Sequence, residues 1–594
     1  MSVLPLQDGL GKRWRIRPHD AVRVARLEES AGIPAVVAQL LLARGIADAD
    51  QARGFLDTRL SGLRDPDELP GVPQAVDCIF SAIEARRRIV VYGDYDADGM
   101  TATALLYRCL KLLGGDVGYH LPSRLDDGYG VSDEALAQLK NAGASLVVTV
   151  DCGITSTSEA LTAEKLGIEL VVTDHHEPGP ELPRAAAIVH PRLPGHRYPF
   201  GDLCGAAVAF KLAWALCRRA SQSPKVSPHL REFLLQAVGL AALGTVADVV
   251  PLLDENRILV HHGLIALKEH PVPGLAALMT IAKLDNKKSL GSEDIAFTIG
   301  PRLNAAGRLG QAQLGVELLT TDAPQRAQAL AEYIDQLNGS RDSLERSVYL
   351  AANKQIGEAC DLASDAALVL SGRGWHAGVI GLVAGRLAEK HGRPVIVLSL
   401  DQLGAKPATG SMRSAGGLHA CQALAACGEY LVSHGGHAAA AGLRIDEAHI
   451  DAFRAAFLEH AASAIDPSGH RAELRIDGEA PFGQLTLGTV QKIELMAPFG
   501  AGNPRPVLFA GGVELAEPPK KIGSSQRHLS LKLRQDRLTL RAVAFGQADW
   551  AEPLEQAAAP LDVAFRPVIN DYRGRHSVEL HLVDWRMSPN GASR

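Results

Sequence analysis

The stretch Val90–Met100, VVYGDYDADGM, sets three carboxylates at alternate positions directly after an apolar run: Asp94, Asp96 and Asp98. Residues Arg88–Tyr92 form a short β-branched run that ends at Gly93, and residues Met100–Leu113 carry apolar side chains at helical spacing. This pattern predicts a strand, a tight loop and a helix, with the carboxylates in the loop. Crowding three like charges costs free energy unless cations neutralise them, so the stretch predicts a metal site.

Two later segments repeat this succession of strand and acid. Residues Leu146–Val150 lead to Asp151, and residues Leu170–Thr173 lead to Asp174, with a helical segment before each strand. Strands that alternate with helices form a parallel sheet, whose ligand crevice lies beyond the carboxyl ends of its strands. We therefore expect an α/β fold in which the three acidic clusters meet at one rim.

Simpler interpretations of each aspartate remain open. An aspartate after a strand is often a turn former or a helix N-cap, and for Asp151 alone that interpretation is favoured. A calcium-binding EF-hand loop that began at Asp94 would need a glutamate at its twelfth position, where Leu105 stands. Because three clusters converge, a metal site explains them better than three independent caps.

The residues around Asp174 indicate which metal the site prefers. Asp174 is followed by His175 and His176, and Asp248 interrupts the apolar segment LAALGTVADVVPL. An isolated buried aspartate is costly, so Asp248 needs a cation or a strong hydrogen bond. Mostly oxygen ligands with one imidazole suit Mn²⁺ or Mg²⁺, and the lack of thiolate ligands disfavours a structural zinc site.

Composition limits the class of protein and its compartment. At 594 residues the chain predicts several domains, and its net charge of −6 means that local basic patches would have to hold a nucleic acid. The eight cysteines are scattered without a C-x-x-C pair, which indicates reduced thiols. The N-terminus lacks an apolar leader and no run of roughly 18 apolar residues follows. We therefore expect a cytoplasmic protein without a membrane span.

Positive and glycine-rich segments in the second half of the chain are candidates for holding phosphates. Residues 300–310, GPRLNAAGRLG, are too polar for a core strand, and residues 410–414, GSMRS, have the composition of a glycine-flanked turn that holds a phosphate. Taken singly, each segment could be a surface loop with incidental charge. The candidate substrate-binding residues of these segments are Arg302, Asn304, Arg308, Ser411 and Arg413. Two further candidates are His437, beside glycines in SHGGHAAAAGL, and Arg124, which follows another probable strand in the first half of the chain.

The C-terminal region changes to alternating polar and apolar residues. The segments HLSLKLR, RLTLRAVAF and VELHLVDW have a period of two, which is typical of half-buried antiparallel strands. Between Lys520 and Arg541 there are seven Lys or Arg residues against one acid. Such charge usually marks a solvated strand face, but a basic barrel with stacking rings also suits single-stranded nucleic acid. The aromatic residues that face either the core or a nucleic acid are Phe545, Phe565, Tyr572 and Trp585.

The ordered motifs resemble a known enzyme family. YGDYDADGMTAT, VDCGIT, TDHH and GTVADVVPL are similar, in this order and spacing, to the metal motifs of the DHH phosphoesterase superfamily. With GPRLNAAGRLG, WHAGVIGLVAGRL, GSMRS and SHGGHAAAAGL added, nearly the whole chain resembles the RecJ-type exonucleases of that superfamily. The resemblance implies two α/β lobes, DHH and DHHA1-like, joined by a long helix around a cleft, and a C-terminal OB-fold β-barrel. It also implies two bound ions, Mn²⁺ or Mg²⁺.

The resemblance further implies a role for each residue of the site. Asp151 would bridge the ions, and His175 with Asp248 would complete the shell of one ion. His176 would face the substrate phosphate, and Asp174 would orient an imidazole. The implied metal ligands are Asp94, Asp96, Asp98, Asp151, His175 and Asp248. The implied catalytic residues are Asp151, Asp174, His175 and His176. The residues implied in recognising a terminal 5′-phosphate are Arg124, Ser411 and Arg413.

The domain organisation and activity follow from these patterns and the resemblance. We expect a helical N-terminal segment at 1–60, a DHH catalytic α/β domain at 61–260, a helical region and connecting helix at 261–360, a DHHA1-like substrate-binding domain at 361–465 and an OB-fold nucleic-acid-binding domain at 466–594. The implied activity is metal-dependent 5′→3′ hydrolysis of single-stranded DNA to nucleoside 5′-monophosphates in recombination and repair. Single-stranded DNA, a single-strand-binding protein and a RecQ-type helicase are the expected partners of a monomer.

Two alternatives to this activity stay open. A related hydrolase would act on short RNA, a cyclic dinucleotide or pyrophosphate, but none of these substrates needs a C-terminal barrel. A catalytically silent DNA-binding scaffold would have no reason to keep the whole ligand set.

Overall fold

The structure is a computed structural model that describes residues 12–122, 130–223, 225–362, 364–465, 473–557, 560–572 and 574–588. The chain divides into two compact units. The larger unit consists of residues 59–470 with 500–503, and the smaller unit combines residues 1–58 with 471–499 and 504–594. The prediction that Arg124 binds substrate falls on a residue that lies outside the described part of the chain.

The N-terminal region contains one strand and three helices: β1 (Arg13–Ile16), α1 (Ala21–Ala31), α2 (Ala35–Ala43) and α3 (Ala49–Leu56). Helices α1 and α3 begin where Asp20 and Asp48 accept hydrogen bonds from backbone N–H groups of the first turn, as N-caps do. Helix α2, AVVAQLLLA, is apolar around its circumference because most of it is buried.

The first α/β lobe alternates strands and helices around a parallel sheet. Its elements are α4 (Val72–Glu84), β2 (Ile89–Tyr92), α5 (Ala97–Leu112), β3 (Val117–His120), α6 (Asp133–Asn141), β4 (Leu146–Val150), α7 (Thr157–Leu166), β5 (Glu169–Thr173) and β6 (Ala187–Val189). The five strands lie in the order β3-β2-β4-β5-β6, and all pairings are parallel. Strands β2 and β4 are entirely buried, which explains their unbroken apolar runs. The predicted parallel α/β sheet is confirmed, and β2, β4 and β5 end side by side.

A helical layer follows this sheet and supplies the rest of the lobe's core. Its elements are α8 (Gly205–Ala220), α9 (Pro228–Ala247), α10 (Asp254–Glu269), α11 (Pro273–Ile281), α12 (Ser292–Asp294), a π-helical turn (Ile295–Ile299), α13 (Gly300–Arg308), α14 (Ala312–Thr320) and α15 (Pro324–Ala359). Helices α5, α8 and α9 pack against one another, and their many small residues permit this close approach. Among the described helices, α9 is the one with the length and hydropathy to cross a membrane, yet two thirds of its apolar stretch is buried inside the protein.

Two segments of this helical layer were interpreted from the sequence, and the structure confirms one interpretation and corrects the other. The long helix predicted over 324–360 is present as α15. The glycine-rich residues 300–308, whose plainest interpretation was a surface loop, instead form helix α13. Leu303 and Ala306 are buried in the lobe's core, so packing outweighs the low helix propensity of Gly307. Pro301 lies in the first turn of α13, where proline is tolerated.

The second α/β lobe is built around a mixed sheet. Its elements are β7 (Leu368–Arg373), α16 (Ala377–His391), β8 (Val395–Leu400), β9 (Ala408–Arg413), α17 (Ala420–Ala426), β10 (Leu431–Gly436), β11 (Ala440–Ile445) and α18 (Ile450–Ala464). The strand order is β10-β11-β9-β8-β7, and only β7 and β8 pair in parallel. Ser411 and Arg413 therefore lie on a strand, which corrects the expected glycine-flanked turn. Met412 between them is buried, so the two polar side chains share the opposite face.

The C-terminal region forms a closed barrel. Its elements are β12 (Glu473–Ile476), β13 (Gly478–Glu479), α19 (Leu487–Glu494), β14 (Leu508–Ile522), β15 (His528–Gln535), β16 (Leu538–Ala544), α20 (Ala551–Glu555), β17 (Leu561–Tyr572) and β18 (Arg575–Met587). Strands β14, β15, β16, β18 and β17 are neighbours in that order, and pairing of β14 with β17 closes the ring. The predicted β-barrel is confirmed.

The N-terminal region packs with this barrel, a relationship that the sequence patterns did not indicate. Strand β1 pairs in parallel with β12, in a register that sets Trp14 opposite Leu474. Trp14 is fully buried, and its indole N–H donates to Asp584 Oδ2 at 2.8 Å. Leu40 of α2 belongs to the same apolar core as Phe565 of the barrel.

Candidate metal centre and substrate cleft

The three predicted acidic clusters meet at the carboxyl edge of the parallel sheet. Three groups of side chains place ligand atoms within 4.8 Å of one another: Asp151 with His175 and His176, Asp98 with His175 and Asp248, and Asp94 with Asp96 and Asp151. All six residues predicted as metal ligands therefore lie in one connected site. Asp248 joins them from the C-terminal end of α9, outside the sheet.

His175 is the residue that links the clusters. Its Nε2 lies 3.0 Å from Asp151 Oδ1, 3.7 Å from Asp248 Oδ2 and 3.9 Å from Asp98 Oδ2. Burial and the neighbouring His176 lower the pKa of His175 to about 3, so its ring is neutral at physiological pH. Within the described residues this buried Nε2 makes no hydrogen bond. A neutral imidazole nitrogen that faces three carboxylates is suited to bind a metal ion.

Asp98 is held by the N-terminus of α8. The backbone N–H of Gly205 donates to Asp98 Oδ2 at 2.6 Å, and that of Ala206 donates to Oδ1 at 3.0 Å. Burial and the charge of Asp96 nevertheless raise the pKa of Asp98 to about 6. Asp96 Oδ1 itself accepts hydrogen bonds from the N–H groups of Asp98 and Gly99, as the N-cap of α5. The capping and metal interpretations of this loop are thus compatible.

Excess negative charge marks the site as one built for cations. Burial and four neighbouring aspartates raise the pKa of Asp151 well above its usual value. Burial, with Asp98 and Asp96, raises the pKa of Asp248 to about 8. Asp151 also adopts a left-handed backbone with φ of 62°, and its side chain lies in one ligand group with those of Asp94 and Asp96. Divalent cations would remove the repulsion that shifts these pKa values, so the residues fit the two ions that the resemblance implies.

Asp174 organises the loop that carries both histidines. Its Oδ1 accepts the backbone N–H of His175 at 2.7 Å and lies 2.8 Å from His176 Nδ1, and its Oδ2 accepts the N–H of Ile154 at 2.9 Å. Burial alone would raise the pKa of Asp174, but the hydrogen bond from His176 and its charge lower it to about 2. Burial opposes protonation of His176, yet its hydrogen bond to Asp174 raises the pKa of His176 to about 9.

Two residues that the sequence analysis missed hold the backbone of the same loop. His190 Nε2–H donates to the carbonyl of His176 at 2.8 Å, and Arg192 Nη2 donates to the carbonyl of His175 at 2.8 Å. Both follow β6, the three-residue edge strand. A strand of three residues has too little periodicity to be predicted from the sequence. His190 and Arg192 therefore could not be located from their strand end, as the aspartates were.

Helix α13 closes over the loop between β2 and α5. Asn304 Oδ1 accepts the N–H of Ala97 at 2.9 Å, and a Cβ added at Gly307 would collide with the carbonyl of Tyr95. The glycine is therefore required for close approach of the two backbones. Asn304, a predicted substrate-binding residue, lies directly beside the metal loop.

The other predicted substrate-binding residues of α13 reach different neighbours. Arg302 pairs with Asp335 of α15 at 2.8 Å and also donates to the carbonyl of Thr298. Arg308 Nη1 donates to the carbonyl of Gly378 at 3.2 Å, at the start of α16. Arg308 thus lies where the two α/β lobes of the larger unit meet.

Ser411 and Arg413 form a polar pair in the second lobe. Arg413 Nη1 donates to Ser411 Oγ at 2.9 Å, and a Cβ added at Gly381 of α16 would lie 2.9 Å from Arg413 Nη2 and 3.0 Å from Ser411 Oγ. The glycine leaves the guanidinium and hydroxyl close to the backbone of α16. His437, the remaining candidate, is exposed in the turn that joins β10 to β11.

Glutamates pair with part of the barrel's basic strand face. Lys532 pairs with Glu517 and Arg534 pairs with Glu514, which accords with the solvated-face interpretation for these positions.

The described aromatic side chains of the barrel divide into buried and exposed ones. Phe565 and Trp585 are buried in the core, whereas Phe545 is 54% exposed.

The fold and site define a metal-dependent phosphoesterase of the DHH type. Three family models match the chain: "DHH family, N-terminal domain" over residues 88–243, "DHHA1 domain" over residues 364–463 and "RecJ OB domain" over residues 476–584. The expectation of DHH, DHHA1 and OB domains is confirmed.

Relatives with known names or solved structures show which family of DHH-type phosphoesterases the chain belongs to. The single-stranded-DNA-specific exonuclease RecJ of Dickeya dadantii is 37% identical over 94% of this chain and 96% of its own. Thermus thermophilus RecJ in complex with Mn²⁺ matches with a TM-score of 0.80 and 32% identity, over 97% of this chain and 80% of that chain. RecJ of the same organism in complex with Mg²⁺ matches with a TM-score of 0.73, 30% identity and 97% and 78% coverage. The chain belongs to the RecJ family.

Proposed function

We propose that this chain is a metal-dependent exonuclease that degrades single-stranded DNA from the 5′ end and releases nucleoside 5′-monophosphates. The observation that carries the proposal is the convergence of Asp98, Asp151 and Asp248 on the neutral ring of His175. Membership of the RecJ family supports single-stranded DNA as the substrate and Mn²⁺ or Mg²⁺ as the ions. Of the two alternatives, the silent scaffold is disfavoured by the same convergence.

The proposed ion ligands are the six residues of the connected site: Asp94, Asp96, Asp98, Asp151, His175 and Asp248. A pair of divalent ions bound there would lower the pKa of water and stabilise the charge on the attacking and leaving oxygens. Asp151 has contacts in two of the three ligand groups, which supports its role as the bridging carboxylate.

Side chains beside the ligands would orient and stabilise the scissile phosphate. Because Asp174 accepts the Nδ1 proton of His176 and raises the pKa of this ring, His176 is held in an orientation that leaves Nε2 to donate to a phosphate oxygen. Ser411 and Arg413 of the second lobe, with Arg308 where the two lobes meet, would hold phosphates, since guanidinium and hydroxyl groups are strong donors to phosphate. Arg124 and His437 remain predicted members of this group.

We also propose the biological setting. A strand threaded between two lobes that touch at Arg308 and Gly378 would exclude a duplex on size, which supports a preference for single strands. The eight free cysteines support a reducing, cytoplasmic compartment. A role in recombination and repair, as a monomer with a single-strand-binding protein and a RecQ-type helicase as partners, is proposed from the family resemblance. The domain boundaries at 1–60, 61–260, 261–360, 361–465 and 466–594 stay part of the proposal.

The decisive experiment follows mononucleotide release from a 5′-phosphorylated, 3′-labelled single strand, from its duplex form and from a short RNA, each with Mn²⁺, Mg²⁺ or chelator. We expect release from the unlabelled 5′ end of the single strand, little from the duplex and none with chelator. The Asp151→Asn variant serves as the matched inactive control. Binding without cleavage in either metal would favour the scaffold, and preference for the short RNA would favour another hydrolase of the superfamily.

A further inference from the structure

Phe297 is the most exposed aromatic side chain among the residues that the structure describes. It is 79% exposed and lies in the π-helical turn that leads into α13. Single exposed apolar residues are common and need no explanation by themselves. Phe297 differs because its turn is continuous with the helix whose Asn304 contacts the metal loop. Irregular π-helical turns inside helices occur frequently at functional sites.

A second exposed apolar residue lies on the neighbouring segment. Val249 directly follows the predicted ligand Asp248, is 70% exposed and has a backbone φ of 62°. A β-branched residue in the left-handed region is strained, and such strain is found mainly at sites of function. The two segments are in contact, since a Cβ added at Gly300 would lie 3.6 Å from Ala247 Cβ.

Helical geometry sets the distance from Phe297 to the metal loop. Seven residues separate Phe297 from Asn304, which corresponds to about 10 Å along a helix axis. Stacked nucleotides of one strand are about 3.4 Å apart, so this interval spans roughly three nucleotides. Residues 297, 301, 304 and 308 recur at helical spacing, and each is at least partly exposed, whereas Leu303 and Ala306 on the other side are buried. Phe297 is thus exposed at the start of a segment whose Asn304 and Arg308 contact the metal loop and the second lobe.

We propose that Phe297, on the segment that contacts the end of α9 beside Val249, is a stacking platform for a nucleobase of the single strand about three nucleotides from the scissile phosphate. This proposal rests on the proposed exonuclease function. Every base has a π-face, so an exposed ring can hold a strand without selecting its sequence, as degradation of DNA of any sequence requires. Arg308, at the other end of the same segment, has a cation that complements the strand's phosphates. The occupant is a nucleic acid base, and an apolar group of a protein partner is the competing outcome.

The test combines substitutions of Phe297 with an abasic scan of the substrate. Oligonucleotides that lack the base at one position each are assayed with wild type and with Phe297→Ala, Phe297→Leu and Phe297→Trp. We expect Phe297→Ala to raise KM for intact single strands by about 5- to 100-fold, because stacking of one base contributes that much to affinity. The Phe297→Trp variant should keep the KM of wild type, and the Phe297→Leu variant should not.

The abasic scan gives a readout that a merely structural role would not change. Wild type should lose affinity at one abasic position, about three nucleotides from the cleaved bond, and Phe297→Ala should be insensitive to the base at that same position. The matched control is Tyr333→Ala, which removes an exposed ring from the connecting helix α15 and should leave KM unchanged.

Each other result has a definite meaning. If the Phe297→Ala variant degrades intact strands as wild type does, or if the Phe297→Leu variant has the KM of wild type, base stacking is excluded. If Phe297→Ala fails to fold, the abasic scan of wild type and the Phe297→Leu variant still decide the matter. If wild type itself does not degrade single strands, the proposed function fails instead of this inference. If wild type degrades single strands with no abasic position sensitive, only the stacking platform is overturned.

Discussion

The backbone N–H of Gly205 lies 2.6 Å from Asp98 Oδ2, so the N-terminus of α8 rests directly on the carboxylate cluster. A Cβ added at Gly205 would lie 2.5 Å from Asp151 Oδ1. The first residue of α8 therefore has room for a hydrogen atom and no side chain. The partial positive charge of the helix N-terminus also stabilises the buried carboxylate of Asp98.

We expect Gly205→Ala to impair catalysis more than folding. The added methyl group must displace Asp151, and a displacement of about 1 Å at a catalytic centre costs on the order of 100-fold in turnover. Turnover of a single strand and the dissociation constant for Mn²⁺ measure the effect. Gly339→Ala is the control, because that helical glycine has open space around it and the substitution should stabilise α15 slightly. Equal activity of the two variants would show that Asp151 tolerates the methyl group.

The sheet and the metal cluster could be predicted from the sequence, whereas the contacts that hold distant segments against the metal cluster could not. Carboxylates such as Asp151 follow apolar runs whose period and length define strands, so the rule about strand ends located them. The contacts of Asn304 with Ala97 and of Gly205 with Asp98 join segments more than 100 residues apart, and no local pattern encodes such pairings. The same limitation hid the pairing of β1 with β12.

Asp151→Asn should abolish hydrolysis while stabilising the metal-free protein. Asn tolerates the left-handed backbone at this position better than Ala would, because its side chain hydrogen-bonds locally. The substitution removes one negative charge from a buried cluster whose mutual repulsion raises the pKa of Asp151. Thermal unfolding in the presence of chelator and turnover with Mn²⁺ measure the two effects. A lower unfolding temperature in chelator would show that charge repulsion is not the main influence of Asp151 on stability.

The metal-free protein should lose stability as the pH rises. The pKa of Asp98 is raised to about 6 and that of Asp248 to about 8, from a usual value near 4. Between pH 4 and these values the folded state holds protons that the unfolded state has released, so the free energy of unfolding falls across this window. Above pH 8 the contribution is fully lost.

Chelated wild type, chelated Asp248→Asn and Mn²⁺-loaded wild type, each unfolded by heat between pH 5 and 9, test this dependence. Asp248→Asn should show a shallower decline than chelated wild type. Added Mn²⁺ should flatten the profile of wild type, because the ion replaces the protons on the ligands. Parallel profiles for chelated wild type and Asp248→Asn would exclude Asp248 as a source of the dependence.

Trp14 should anchor the N-terminal region to the barrel. The buried indole donates to Asp584 Oδ2 at 2.8 Å, and the guanidinium of Arg586 lies 4.4 Å from the centre of the Trp14 ring. Trp14→Ala removes a large buried side chain and leaves Asp584 without that donor, so we expect a loss of about 3–5 kcal/mol in the free energy of unfolding of the smaller unit. Trp14→Phe should cost less, since it keeps most of the apolar contact and loses the hydrogen bond.

Hydrogen exchange of the full-length chain distinguishes this local effect from a general one. In Trp14→Ala, amides of β12 and β18 should exchange faster, while those of β2 and β4 in the first α/β lobe keep the rates of wild type, because these strands belong to the other compact unit. Val22→Ala, at an exposed position of α1, provides the control and should leave both sets unchanged. Faster exchange in β2 and β4 would mean that the two units unfold together, and unchanged exchange in β12 and β18 would remove Trp14 from the anchor.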